Sequence, residues 1–217
     1  MFASLLRMTT KYGFSDVREQ LVEDLEGAYP TKWEAYRAAE VLGEDVFGSP
    51  KPHPNSVLNL FTEQGIKFAL PFAAYRATTG GVSSLISDSP GTVLPRLTLA
   101  STIYGVGVIR GRLAELAYSI ICDTSPVVCT QRACVLNVGI SPLERRMEAL
   151  KKVFVIMVNN SKDDVLCPLS FGEVVCVNCA TWLESIHLRC REHNIWVALP
   201  SLLGGRWEDV LSGVSRV

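Results

Sequence analysis

Seven cysteines and three histidines are the side chains of this 217-residue chain best suited to chemistry. Cys176-Val177-Asn178-Cys179 is the one pair at metal-ligand spacing. At i, i+3 near a helix start, both sulfurs can face one ion. A helix amino end also favours thiolate, because its dipole stabilises negative charge. Two further ligands must come from elsewhere in the chain. His187 and Cys190 are excluded as partners of Cys176, since eleven or more residues of helix separate them by roughly 16 Å. The irregular stretch before the helix offers Cys129 and Cys134, with Cys122 as a substitute. The leading expectation is that these are small buried hydrophobes, since free cysteine is among the most buried residue types. The alternative is a structural zinc on Cys129, Cys134, Cys176 and Cys179. Disulfide or redox roles form a third possibility.

Other chemistries find less support. A nucleophile needs a base and an orienting group beside it, and no active-site signature joins His53, His187 or His193 to a thiol. His187 reads as a surface residue of an amphipathic helix. Gly105-Val106-Gly107 lacks the glycine and basic residue that follow in nucleotide-binding loops. Asp163-Asp164 and Glu208-Asp209 read as loop solvation and helix-start charge. No catalytic or cofactor-binding residue is assigned, and the chain is expected not to be an enzyme.

The elements that must position the cysteines read mostly as helix. Ser15 is expected to cap a helix with Val17, Leu21, Val22 and Leu25 on one side. Thr31-Lys32-Trp33-Glu34 looks like a capping box for a helix over roughly 31–42. Asn55 is expected to cap the next helix, which Gly65 stops. A helix over 66–78 then follows as the second arm of an αα-hairpin, with Pro71 starting or kinking it. Residues 79–95 are turn-rich and read as a mobile or inserted loop. Arg96 to Ile121 returns to helix, where Gly105, Gly107 and Gly111 mark either close contact or a break. Ser141-Pro142-Leu143-Glu144 starts a helix that runs to about Val158. Ser170-Phe171-Gly172-Glu173 looks like a third box, opening a long helix that ends at Leu199-Pro200-Ser201. The whole is expected to be all-α. It reads as one domain over 1–217, an irregular bundle of about eight helices with a long loop around 79–95 and a cysteine-containing irregular segment around 122–140.

Composition narrows the class. Hydrophobic residues make up 48% and charged residues 20%, a globular balance rather than a disordered one. A net charge of −1, with no basic run longer than two, predicts no electrostatic attraction to nucleic acid or anionic membrane. The apolar run Leu97 to Ile109 is too short to span a bilayer and reads as buried helix. The opening residues meet Arg7 and Lys11 too soon for a signal peptide. Odd-numbered thiols without a leader suggest a reducing compartment, cytosol or nucleus.

Several strings together resemble the BTB/POZ-domain proteins of mushroom-forming fungi. They are Leu5-Leu6-Arg7-Met8-Thr9-Thr10-Lys11-Tyr12-Gly13-Phe14 with Val17-Arg18, Tyr29-Pro30-Thr31 with Glu34 and Tyr36, and Val57-Leu58-Asn59-Leu60 with Leu70-Pro71 and Ala74-Tyr75-Arg76. The tail adds Cys176-x-x-Cys179, Trp196-x-x-Leu199-Pro200-Ser201 and Trp207-Glu208. The resemblance implies that residues 1–28 correspond to the last helix pair of a BTB domain and 29–217 to the helical region after it. It further implies a role in protein–protein interaction with an unnamed partner. The surfaces that BTB domains use to dimerise and to meet cullin scaffolds lie largely in a core with no counterpart here. The resemblance therefore does not carry those two partners over.

Overall fold

Pro54 and Gly65 bracket the best-defined helix of the chain, and each acts through its backbone. Pro54 sits in the first turn of Pro54–Gln64 (α4), where its missing N–H costs nothing. Gly65 ends α4 at φ 67°, a left-handed conformation that suits glycine, and its N–H bonds back to Phe61 and Thr62. The computed structural model describes residues 2–42, 52–79, 82–86, 91–122, 129, 134, 136, 143–160 and 166–212. It does so without the side chains of 39–42, 82, 116–122, 143, 146 and 158–160. Among the described residues there are ten α-helices and no strand, so the protein is all-α. The remaining nine are Phe2–Tyr12 (α1), Ser15–Ala28 (α2), Trp33–Leu42 (α3), Leu70–Thr78 (α5), Val82–Leu85 (α6), Arg96–Cys122 (α7), Leu143–Asn160 (α8), Val177–Cys190 (α9) and Trp207–Ser212 (α10). None is long and apolar enough to cross a membrane.

The residues pack as two compact units. The first comprises Met1–Val106 with Ala198–Val217. Its centre is the α4–α5 hairpin, and α5 also packs on the 3₁₀ turn Leu199–Leu203. Leu58, Phe61, Ala74, Leu199 and Leu202 are fully excluded from solvent. Tyr29 meets Phe61 edge-on at 4.8 Å, and Phe72 lies 5.9 Å from Tyr29 and 5.6 Å from Tyr36. Such tilted aromatic pairs stabilise beyond their buried area. Pro71 lies in the first turn of α5, so it starts that helix rather than kinking it. At Gly105 of α7 an added Cβ would fall 2.3 Å from the Leu202 Cα. Close backbone contact, and not a break, is therefore the reason for that glycine.

Asn55 does not cap α4. The cap is His53, whose Nδ1 accepts the Asn55 N–H at 3.3 Å. Asn55 itself is buried, and its Nδ2 donates to the carbonyls of Ser84, Leu85 and Thr92 at 3.1–3.3 Å. Asn59, one turn on, donates to Gly91 and Val93. These bonds pin the described parts of 79–95 to α4, and α6 lies within that stretch instead of a continuous loop. Buried carbonyls need such partners, and a side-chain amide supplies them where no regular ladder exists. Phe14, not Ser15, precedes α2, with no side-chain cap bond. α3 begins at Trp33, two residues later than the Thr31 box suggested.

The second unit is Gly107–Val197. Its core is built from Ala149, Leu150, Val153 and Met157 of α8 against Cys179, Ala180 and Leu183 of α9. The 149/150/153/157 spacing is a helical stripe. Ser170 does not open the long helix. Residues 170–175 form turns in which the Phe171 carbonyl accepts from Val174 and Val175, and the Phe171 ring is wholly buried. The helix starts seven residues later, and Cys176 is its N-cap. It does not run unbroken to Leu199 either. After Cys190 the turns widen to π spacing over Arg191–Trp196, which buries Arg191, Ile195 and Trp196 together. Ser141 and Pro142, the expected start of α8, lie outside the described residues.

Candidate metal centre

The amino end of α9 presents two sulfurs. Cys176, at φ −67° and ψ 161°, has the extended backbone of an N-cap, yet its side chain makes no capping bond. Its carbonyl accepts the Ala180 N–H at 2.8 Å, so the first helical bond is closed by backbone and the thiol is left for other use. Cys179 follows in the first turn and is 1% exposed. From the irregular stretch come Cys129 and Cys134, 6% and 3% exposed, with Leu136 buried beside them. The hydrophobic core of the second unit therefore holds Cys129, Cys134 and Leu136 against α9.

The four sulfurs lie within 4.8 Å of one another. Cys129 and Cys176 are 3.5 Å apart, and Cys134 and Cys179 are 3.6 Å apart. Sulfurs sharing one tetrahedral ion at Zn–S ~2.3 Å stand roughly 3.5–4 Å apart. Two of the separations match that spacing, and the whole cluster, within 4.8 Å, is too tight for an iron–sulfur cage, whose own sulfides hold its thiolates further apart. The Leu136 N–H points at the Cys134 sulfur at 3.4 Å. Backbone donors of this kind stabilise a thiolate and orient it for a metal.

Proton affinities within the cluster diverge. Burial pushes the Cys134 thiol up, but hydrogen bonds with the Cys176 and Leu136 backbone and with the Cys176 and Cys129 side chains outweigh it. The result is lowered to about 7. Cys179 is raised, first by burial and then by hydrogen bonds with Cys129, Cys134 and Cys176 and by the Cys134 charge. Four sulfurs this close cannot all ionise without a cation among them.

All four residues assigned from the sequence thus meet, and the remaining candidates do not join them. Cys122 has no described side chain. Cys167 is exposed and contacts the Pro168 carbonyl. Cys190 is buried, its thiol pushed up by burial, with Asn194 as a partner at 3.6 Å. His53 caps α4, and His193 is exposed near Glu192. Among the described residues no histidine belongs to the cluster. The signal the sequence did not give was Leu136, whose role is carried by its backbone N–H and so by no side-chain type.

His187 is not a surface residue. It is 2% exposed, and its Nε2 has no hydrogen-bond partner among the described residues. It lies on the buried stripe of α9, four residues after Leu183 and three before Cys190. Burial first, then the Arg191 charge, lower the imidazole to about 4. The unfolded chain takes up this proton near the ordinary pKa of 6.5, while the folded chain refuses it until about 4. Stability contributed by neutral His187 is therefore complete above 6.5 and lost as pH falls toward 4. The slope is about 1.4 kcal/mol per pH unit and the total about 3 kcal/mol. Urea midpoints of metal-free wild type and His187→Leu, compared at pH 7 and pH 5, should show a smaller acid loss in the variant. Equal losses would remove His187 as the cause.

In comparisons with protein-family models, curated proteins and solved structures, nothing matches this chain.

Proposed function

We propose that Cys129, Cys134, Cys176 and Cys179 hold one structural zinc ion, and that the chain is a zinc-stabilised helical module without catalytic activity. The observation that carries this reading is the four-sulfur cluster, all within 4.8 Å and three of its members buried. A site closed by four protein ligands leaves no open position for substrate, the mark of a structural rather than a catalytic zinc. Cys190, the buried thiol nearest in sequence to His187 and His193, has its proton held more tightly, the opposite of an activated nucleophile. A reducing compartment, cytosol or nucleus, belongs to the same reading, since thiolate sites persist there.

Elemental analysis of protein made in zinc-replete medium tests it. One zinc per chain is expected, and cobalt replacing it should give the intense visible bands of a four-thiolate tetrahedral site. Iron is the other ion that such a donor set accepts, and elemental analysis separates the two. A chain purified without metal, or one whose zinc survives Cys129→Ser with Cys134→Ser, refutes the site.

A second reading, non-catalytic protein–protein interaction akin to the helical region of fungal BTB/POZ proteins, is supported by a separate observation. Leu5, Met8 and Tyr12 of α1, with Phe14 and Val17, are 38–59% exposed although α1 buries only Leu6 and Thr9. Adjacent exposed apolar side chains of this size mark interaction surfaces more often than solvated ones. Turnover of any substrate that depends on a cysteine or histidine would count against both readings.

A further inference from the structure

Three of the four cluster sulfurs are sealed from solvent and one is not. Cys129, Cys134 and Cys179 are at most 6% exposed, whereas Cys176 is half-buried at the lip of α9. A small oxidant arriving from water meets Cys176 first. Across the two segments the Cys129 sulfur stands 3.5 Å from it. A disulfide needs about 2.05 Å, so the two sulfurs must close by roughly 1.5 Å. We propose that Cys176 is the entry point for hydroperoxide at this centre, and that Cys129 resolves it, expelling the zinc. The proposal rests on the zinc reading above.

The step balances as follows. The Cys176 thiolate attacks one peroxide oxygen, the O–O bond breaks, and Cys176 sulfenic acid and hydroxide form. The Cys129 thiolate then attacks the Cys176 sulfur, the S–O bond breaks, and a second hydroxide leaves as the S–S bond forms. Two thiolates have given two electrons to one hydrogen peroxide, and the two hydroxides become water by taking two protons from the buffer acid. Zinc keeps its charge throughout. It loses two of its four ligands and departs, and Cys134 and Cys179 take up protons from solvent. The new bond joins the same two segments that the metal joined, residues 47 apart in sequence. The irregular stretch thus stays tied to α9 in the oxidised form, and a thiol reductant with added zinc restores the original one.

The test uses the full zinc-loaded chain and one equivalent of hydrogen peroxide. A chromogenic chelator reports released zinc, and mass spectrometry of the unreduced digest maps the first disulfide. The expected result is up to one zinc freed per chain, in step with a Cys129–Cys176 disulfide, and both reversed by dithiothreitol with zinc. A first disulfide between Cys176 and Cys179, zinc release without any disulfide, or zinc retained while only Cys167 is oxidised each overturns the proposal and leaves the zinc reading standing. A chain that never held zinc overturns both.

Discussion

Removing the zinc proposed for the four-cysteine cluster should cost the second unit much of its stability. A ligand present at a thousand times its dissociation constant stabilises the folded state by about 4 kcal/mol. For a chain of this size that corresponds to ~8–16 °C in melting temperature. Chelation should therefore lower the transition of Gly107–Val197, with lost hydrogen-exchange protection on α8 and α9. Cys176→Ser is the sharper experiment. Serine is a preferred N-cap, so on helix grounds alone the substitution should be neutral or stabilising. Cys176 is also the least buried of the four, so no core thiol is replaced by a hydroxyl. A drop in melting temperature of the same size as chelation causes, with zinc absent, can then come only from the lost ligand. A Cys176→Ser protein that melts at or above the wild type would remove the metal from the account of stability.

The second large effect belongs to Gly105. Its added methyl would meet the Leu202 Cα at 2.3 Å, and the Leu202 N and Cδ2 at 2.8 Å. Cα and N are backbone and cannot rotate aside, so α7 and the 3₁₀ turn must separate. Overpacking of this kind costs about 1–3 kcal/mol, and backbone contact places Gly105→Ala at the upper end. Gly107 and Gly111 lie on the same helix, exposed, with nothing within 4 Å of an added Cβ. Alanine there should stabilise by about 0.5–1 kcal/mol, because glycine is a poor helix former. Thermal melts of the three variants should therefore split in sign. Gly105→Ala melting with the other two would mean that α7 and Leu202 are not in backbone contact.

Helical content was legible because α4, α5 and α8 carry their apolar residues at helical spacing, a signal that needs no tertiary information. Where helices begin was less legible. Ser170-Phe171-Gly172-Glu173 has the letters of a capping box, yet Phe171 is more stable plugged into the core than at the first turn of a helix. The true cap, Cys176, is a residue type that sequence rules do not favour there. Asn55 likewise matched a cap by type, while its amide was committed to three carbonyls 29–37 residues away. The metal-ligand set divides in the same way. Cys176 and Cys179 were readable from spacing alone. Cys129 and Cys134 followed only by elimination, since helical rise removed His187 and Cys190 and no local pattern pointed to the pair. The burial of His187 was readable from helical spacing, four residues after Leu183 and three before Cys190, but its polar side chain reads as the mark of a solvent face.

The centre also sets an order of events at the ribosome. Its two halves are 45–47 residues apart, and all of α8 lies between them. Cys129 and Cys134 are synthesised first and wait for Cys176 and Cys179, about 2–9 s at ordinary elongation rates. During that interval the nascent chain has two thiols with no completed metal site, and α8 has no α9 on which to bury Leu150, Val153 and Met157. The second unit can close only after its last quarter has been made.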